Sequence, residues 1–414
     1  GSIALLTLVK PSEIIVGLVF VFWGVGSFSD LRKKIQLLIN SRRQVLLALL
    51  ISFIVFLPQL IYWKLATGHW IYDSYQNPGI GLDFTTPHIF DVLFSYRKGW
   101  FLYTPIMILS LIGFVELFRR NRSIFWAITG YFALSFWIIA SWTEWWYGAS
   151  FSIRPMITLY IVLAIPLGYF LKSLINSKVL VRGAVLVFIV LCIGLNLFQT
   201  WQLNHYILDP YRTTKEYYWA TFLKTKIPEN AEMLKSVFRS FDGDDQIPHE
   251  KPYKIISLLS PKTARSEFKD SIMIGPIFSL QGEILDGNKR YPNGVKLQFR
   301  DITSLDHFWA KASVQVFIPS SYKGELPCIV MEMRRKGGAY KWQCECLDSA
   351  KVILDEWNKL EKTYLSPEVR STRDFFKSYV WHRGEDAIII NNFIVDAFVL
   401  DKKPKTPKST ALPD

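Results

Sequence analysis

Residues 142–155 read Trp-Thr-Glu-Trp-Trp-Tyr-Gly-Ala-Ser-Phe-Ser-Ile-Arg-Pro, an aromatic segment with one acid, Glu144, and one cation, Arg154, between two long apolar runs. Charge at the mouth of an apolar helical bundle is costly, so such groups point to a site. Arg154 opens the following run, and its planar fork suits a phosphate. Lys10, Arg97 and Lys98 are placed at the same level by the pattern of runs, and a lysine binds phosphate as a point charge. For Lys10 and Lys98, cations snorkelling near lipid headgroups are the plain alternative. Glu144 is a candidate general base or holder of a hydroxyl, and Tyr147 a candidate positioning group. Trp142, Trp145 and Trp146 are candidates for stacking on a ring or for an interfacial belt.

The elements that must position these residues are apolar runs. Six are expected to span a membrane: 12–28, 44–63, 100–118, 124–141, 153–174 and 181–200. Each approaches the ~20 residues needed to cross ~30 Å of hydrocarbon. The 414 residues are 50% hydrophobic and 15% aromatic, and the mean hydropathy is +0.19. Those values fit a chain that is part membrane and part water-exposed. Residues 2–9 are apolar but too short to span, so the chain is expected to start inside the last part of a further helix. Arg32, Lys33, Lys34, Arg42 and Arg43 in loop 29–43, Arg119, Arg120 and Arg122 in 119–123, and Lys178 and Arg182 in 175–182 assign those loops to the cytoplasm. Segments 64–99 and 142–152, and everything after 200, then face outward. The net charge of +13 fits loops that meet anionic lipid. No basic stripe with a recognised motif argues for nucleic acid. His69 and His88 read as loop residues, and no metal-ligand spacing appears.

Residues 201–253 read as a connector: aromatic and amphipathic to about 228, expected along the outer membrane surface, then polar. Asp242-Gly243-Asp244-Asp245 lacks the ligand spacing of a calcium loop and reads as a solvated turn. From 254 to 401 the texture is β, with strands expected at 254–259, 272–285, 295–300, 308–318, 327–335, 339–347, 354–363, 374–382 and 386–400. Turn signals separate several of them: Asp286-Gly287-Asn288, Pro292-Asn293-Gly294, Lys336-Gly337-Gly338 and Arg383-Gly384. The number and length of the strands predict a β-sandwich or jelly roll. The tail 402–414 reads as disordered. Of the four cysteines, Cys328 is able to pair with Cys344 or Cys346 outside the cytoplasm, or all remain thiols. Trp309, Trp342, Trp357 and Trp381 are core residues or a sugar platform, with core the expectation.

The run Lys10-Pro11-Ser12-Glu13, then Tyr62-Trp63-Lys64, then Leu93-Phe94-Ser95-Tyr96-Arg97-Lys98-Gly99-Trp100, then Trp146-Tyr147-Gly148-Ala149-Ser150-Phe151-Ser152-Ile153-Arg154-Pro155 resembles the C-terminal half of a multispanning GT-C glycosyltransferase. It is most similar to dolichyl/undecaprenyl-phosphate-mannose mannosyltransferase-like proteins of Bacteroidetes. There, Arg-Pro is usual where Lys10-Pro11 stands, and Tyr-Gly-Gly-Ser-Phe-Gly-x-Arg is usual at 147–154. This chain departs at Lys10, Ala149 and Ser152. The resemblance covers roughly residues 1–225 and implies inverting sugar transfer from a polyprenyl-phosphate donor outside the cytoplasm. It also implies a catalytic Asp in a first outer loop that no residue here matches. Phe376–Trp381 with His382, followed by Ala387-Ile388-Ile389-Ile390-Asn391-Asn392-Phe393-Ile394-Val395, resembles the last strands of galactose-binding-like jelly rolls, with Asn391 and Asn392 where acids are common.

The expectation is therefore a helical membrane domain over 1–200, N-terminally incomplete, followed by an extracytoplasmic sandwich, in a bacterial cytoplasmic membrane. The function implied is glycosyl transfer from a polyprenyl-phosphate sugar to a glycan or protein acceptor. Lys10, Arg97, Lys98, Tyr147 and Arg154 would form the lipid-phosphate and substrate site, with Glu144 as the candidate base. No cofactor is assigned, although a divalent cation is compatible with phosphate chemistry. The alternative is a non-catalytic, membrane-anchored scaffold subunit whose sandwich binds glycan or protein. A transporter fits less well, because the spans carry few intramembrane polar groups.

Overall fold

The computed structural model describes residues 1–73, 75–239, 245–248, 251–260, 271–274, 278–335 and 338–401. The expected turn at Lys336-Gly337, the run Asp242-Gly243-Asp244 and the tail 402–414 lie outside the described residues. The chain divides into two compact units: Gly1–Gln76 with Ile80–Val237, and Asn77–Gly79 with Phe238–Asp414.

The first unit is helical: α1 (Ser2–Val9), α2 (Gly17–Phe22), α3 (Phe28–Asn40), α4 (Arg42–Thr67), α5 (Ile89–Phe94), α6 (Trp100–Tyr103), α7 (Met107–Arg120), α8 (Arg122–Ala140), α9 (Ile157–Ile175), α10 (Val179–Asn204) and α11 (Lys215–Thr221). Among the described residues, four helices are long and apolar enough to cross a membrane: α4, α8, α9 with the turn that precedes it from Arg154, and α10. The other two expected spans are interrupted. The first holds only a 3-10 turn over Pro11–Val16 followed by the six residues of α2. The run 100–118 breaks at Thr104, which takes φ −139° and ψ 60°. Pro105 disfavours helical backbone in the residue before it and has no N–H to donate, so α6 stops and α7 restarts beyond. The expected loop 29–43 is instead largely α3, whose start is capped by Ser27 Oγ accepting from the Asp30 N–H.

Helix α4 has none of its apolar window buried and presents Leu46, Leu47, Leu50, Phe53 and Ile54 outward. An apolar surface on every side of a helix suits hydrocarbon rather than water. At Gly113 on α7 an added Cβ would lie 2.0 Å from the Pro166 carbonyl oxygen, so only glycine lets α7 lie this close to α9. A buried cluster built on Val92, Trp100, Tyr131, Met156, Leu159 and Leu163 joins α5, α6, α8 and α9.

The second unit is an antiparallel sandwich. Strands β1 (Tyr253–Leu259), β4 (Glu283–Leu285), β6 (Trp309–Phe317), β9 (Trp357–Leu365) and β11 (Ile388–Leu400) form one sheet, in which the long β11 pairs with β4, β1 and β6. Strands β5 (Val295–Gln298), β10 (Phe375–Trp381), β7 (Cys328–Arg335) and β8 (Gly338–Cys346) form the other, in that order. β2 (Ser271–Ile274) and β3 (Phe278–Gln281) pair as a hairpin, so the strand expected over 272–285 is three short pieces. Alternation dictates the layering: Val314, Ile329, Met331, Phe376, Val380 and Val395 point between the sheets. β11 carries a bulge between Asn391 and Ile394, and Asn392 adopts φ 52° there. Asparagine tolerates that left-handed backbone better than most residues.

Cys328 and Cys346 face each other directly across β7 and β8 and form a disulfide, while Cys192 and Cys344 are free. The bridge spans a sequence separation of 18, which by loop-closure entropy is worth about 3 kcal/mol. Cys328→Ser with Cys346→Ser should lower the sandwich's unfolding free energy by about that amount in a denaturant titration. An unchanged midpoint would show that the bridge does not form.

The run ending at Asp245 is not wholly a solvated turn. Asp245 is buried, and its carboxylate accepts from Lys341 Nζ at 2.6 Å. Lys341 Nζ also donates to the Leu365 carbonyl at 2.8 Å and lies over the Tyr364 ring.

Candidate functional site

The aromatic segment begins as the cap of α8. The last carbonyls of a helix have no partners within it and must find them elsewhere. Here the Tyr147 hydroxyl donates to the Ile139 carbonyl at 2.7 Å. The His88 and Asp83 N–H groups take the Ala140 and Ser141 carbonyls, both at 2.7 Å. Thr143 exchanges hydrogen bonds with Gly81, through its own N–H and its hydroxyl. Loop 80–88 is thereby tied to the end of α8. Tyr147 serves the helix end, and burial pushes its hydroxyl far above the usual phenol range.

A second clasp joins the turn before α6 to the segment before Arg154. Lys98 is 1% exposed, and its ammonium donates to the Ser150 carbonyl and, at 3.4 Å, to Ser150 Oγ. Ser152 Oγ returns a bond to the Lys98 carbonyl at 3.1 Å. Gly99 permits the tight turn, since a Cβ there would lie 2.5 Å from the Ser95 carbonyl oxygen. Ser152 holds φ 50°, the region where glycine is most at ease and where the resembled pattern carries Gly.

Burial, and then the positive charges of Arg97 and Arg154, push Lys98 down from 10.5 to about 7, while Asp209 pulls the other way. Arg97, Lys98 and Arg154 are therefore electrostatic neighbours. The Arg97 guanidinium lies over the Trp146 ring, 4.6 Å from its centroid. Arg154 is exposed, and its guanidinium makes no hydrogen bond or ion pair among the described residues. Lys10 is engaged with Glu13 at 2.7 Å, and Tyr131 donates to the other oxygen of Glu13 at 3.5 Å. Glu144 is half-buried and opens the turn that Tyr147 closes. The clasp thus brings together three of the expected phosphate ligands. One of these, Lys98, is spent mainly on the loop, and Tyr147 is spent on the helix end.

The sign of the Lys98 shift sets a pH dependence. Between about 7 and 10.5 the unfolded chain holds a proton that the folded chain has released, so stability rises with pH across that window. Thermal unfolding in detergent should show the first unit gaining stability from about pH 6 to about pH 9, with Lys98→Met reducing the slope. Equal slopes in the two proteins would contradict the burial of this ammonium.

The connector contributes to the site in a way its aromatic content hinted at but did not place. Tyr217 and Tyr218 of α11 are buried. Tyr218 packs with Tyr103 and Leu208, and with Tyr96 and Phe151 around them. Gln199 Nε2 donates to the Tyr218 hydroxyl at 2.8 Å, and Trp219 Nε1 to the Tyr96 hydroxyl at 3.2 Å. Both Tyr96, next to Arg97, and Phe151, next to Ser152, are therefore held by the connector. His88 bonds Asp91 at 3.2 Å. Among the described residues no group of three or more His, Cys, Asp or Glu side chains could hold a metal ion.

The sandwich has a groove of its own, about 410 Å³, lined by Tyr291, Lys296, Glu332, Arg334, Lys377 and Tyr379 among others. Of the four tryptophans, Trp309 is core at 1% exposure, whereas Trp342 at 46% and Trp357 at 37% are exposed. Trp381 is half-buried beneath Arg383. Trp342 stands beside the groove, directly opposite Glu332 across β7 and β8.

Two solved structures are similar to part of the chain. The CBM22-1 xylan-binding domain from Paenibacillus barcinonensis Xyn10C is 14% identical, covering 38% of this chain and 91% of that one, with a TM-score of 0.22. Family 16 Carbohydrate Binding Module-2 is 11% identical, covering 36% and 86%, with a TM-score of 0.19. No family model and no curated protein matches the chain.

Proposed function

We propose that the first unit binds the phosphate of a polyprenyl-phosphate sugar and serves transfer of that sugar to an extracytoplasmic glycan or protein acceptor. The observation that carries this reading is Arg154: an exposed guanidinium with no hydrogen bond or ion pair among the described residues, close enough to Lys98 to shift it, at the first turn of a helix long enough to span a membrane. The acceptor oxygen forms a bond to the anomeric carbon, and the bond from that carbon to the phosphate oxygen breaks. The phosphate leaves with the negative charge that Arg154 and Arg97 stabilise. The acceptor's proton goes to a general base, for which Glu144, ten positions before Arg154, is the candidate. The apolar flanks of α4 and α10 suit the polyprenyl chain. Basic residues at Arg119, Arg120 and Arg122, together with the Cys328–Cys346 bridge, support a bacterial cytoplasmic membrane with the sandwich outside. The test is transfer of labelled sugar from undecaprenyl-phosphate-mannose to acceptor in proteoliposomes holding the full chain. Label transfer that requires the chain is expected, and none at any protein concentration would overturn the reading.

A second reading is favoured by the groove on the sandwich: a membrane-anchored, non-catalytic subunit in which the second unit binds a glycan. The aromatic and charged side chains around Glu332 support it, because sugar rings stack on aromatic faces and sugar hydroxyls pair with carboxylates.

A further inference from the structure

We infer that the outer face of the β5–β10–β7–β8 sheet binds an acidic carbohydrate, a glycan carrying carboxylate or sulfate groups. The inference rests on the second reading, that the sandwich meets a glycan, and adds the ligand's charge and its seat. Register alone assembles the site. Lys296 pairs with Lys377, Lys377 with Glu332, and Glu332 with Trp342, so one cross-strand row runs across all four strands. The alternating neighbours Val295, Phe376 and Met331 point into the core, which turns this row outward.

The charges in the row are unbalanced. Two lysines stand directly opposite each other, an arrangement that destabilises a sheet. Neither has an ion-pair partner among the described residues; Lys296 instead lies over the Phe375 ring. The only carboxylate in the groove, Glu332, is 2% exposed and already neutralised by Arg334 at 3.0 Å. Three cations thus meet one acid in a groove whose like charges repel until an anion enters.

The aromatic groups select the kind of anion. Trp342 at 46% exposure and Tyr291 at 55% flank the row. Tyr379 stands edge-on to Tyr291, 5.6 Å between ring centroids. Flat, part-wet rings suit the C–H face of a sugar. A carboxylate on the groove floor accepts hydroxyl donors, of which a sugar ring offers several and a nucleotide few, so an acidic glycan satisfies more of the site than a single-stranded oligonucleotide does.

The test measures binding of three probes to the full chain in nanodiscs at low salt: an oligogalacturonate, a neutral xylo-oligosaccharide of equal length and a single-stranded oligonucleotide. The oligogalacturonate should bind at least roughly tenfold tighter than the neutral sugar, with the margin shrinking as salt is raised. Lys377→Gln should remove most of that preference, and Trp342→Ala should weaken both sugars by about tenfold. Thermal unfolding of each variant at the wild-type temperature confirms that the loss is local. Equal affinity for acidic and neutral sugars would overturn the inference and leave the second reading standing. No binding of either sugar would overturn both. Oligonucleotide binding as tight as the oligogalacturonate's would assign the face to nucleic acid instead.

Discussion

Arg154→Ala should lower sugar transfer by about 10²–10³-fold, the usual cost of removing one donor aimed at charge that develops in a transition state. The folded state should hardly notice. Arg154 is exposed, and its guanidinium makes no hydrogen bond or ion pair among the described residues, so its loss leaves no buried group unsatisfied. Arg154→Lys should recover part of the rate, because the charge survives while the planar fork is lost. Arg97→Ala is a less clean probe, since it also removes the guanidinium stacked over Trp146. Full activity in Arg154→Ala, with normal expression and melting, would remove phosphate binding from this residue.

The second large effect concerns stability. Asp245→Ala should destabilise the sandwich by about 3–5 kcal/mol, the cost of leaving one charge of a buried pair without its partner. The Lys341 side chain has no exposed surface, and Asp245 Oδ2 lies 2.6 Å from its ammonium. The same ammonium also donates to the Leu365 carbonyl and lies over the Tyr364 ring. Replacing both partners, Asp245→Leu with Lys341→Met, should cost far less than the single change or raise stability, because neither charge then has to be desolvated. The check is the unfolding transition of the second unit in a denaturant titration of the full chain. A single substitution as mild as the double one would show that the pair is hydrated.

The legible parts of the fold were those written in local pattern. Apolar runs of about the length that crosses a bilayer located α4, α8, α9 and α10, and turn signals such as Asp286-Gly287-Asn288 and Pro292-Asn293-Gly294 separated strands of the sandwich. Pro105 was visible as a residue, yet hydropathy averaged across it and joined α6 to α7 in one span. Pairing over long distances was not legible. Nothing near Asp245 announces Lys341, ninety-six positions away, and nothing near β11 says that β1, β4 and β6 all pair with it.

The candidate site divides along the same line. Residue type grouped Arg97, Lys98 and Arg154 as phosphate candidates, and in the fold both arginines lie near enough to Lys98 to push it down. What each side chain has left to offer depended on hydrogen bonds that only the fold could settle. Tyr147 closes the end of α8, Lys10 is taken by Glu13, and the Lys98 ammonium is buried against Ser150. Arg154 keeps a free guanidinium because it stands where the clasp ends and α9 begins.

The most direct test is equilibrium binding of undecaprenyl phosphate and of undecaprenol, its phosphate-free alcohol, to the full chain in nanodiscs. The phosphate should bind more tightly than the alcohol, and Arg154→Ala should weaken it by about 10–100-fold, the value of one charge-assisted pair, while leaving the alcohol unchanged. Equal affinity for the phosphate and the alcohol, or an Arg154→Ala protein that binds the phosphate as the wild type does, would contradict a lipid-phosphate site built on Arg97, Lys98 and Arg154.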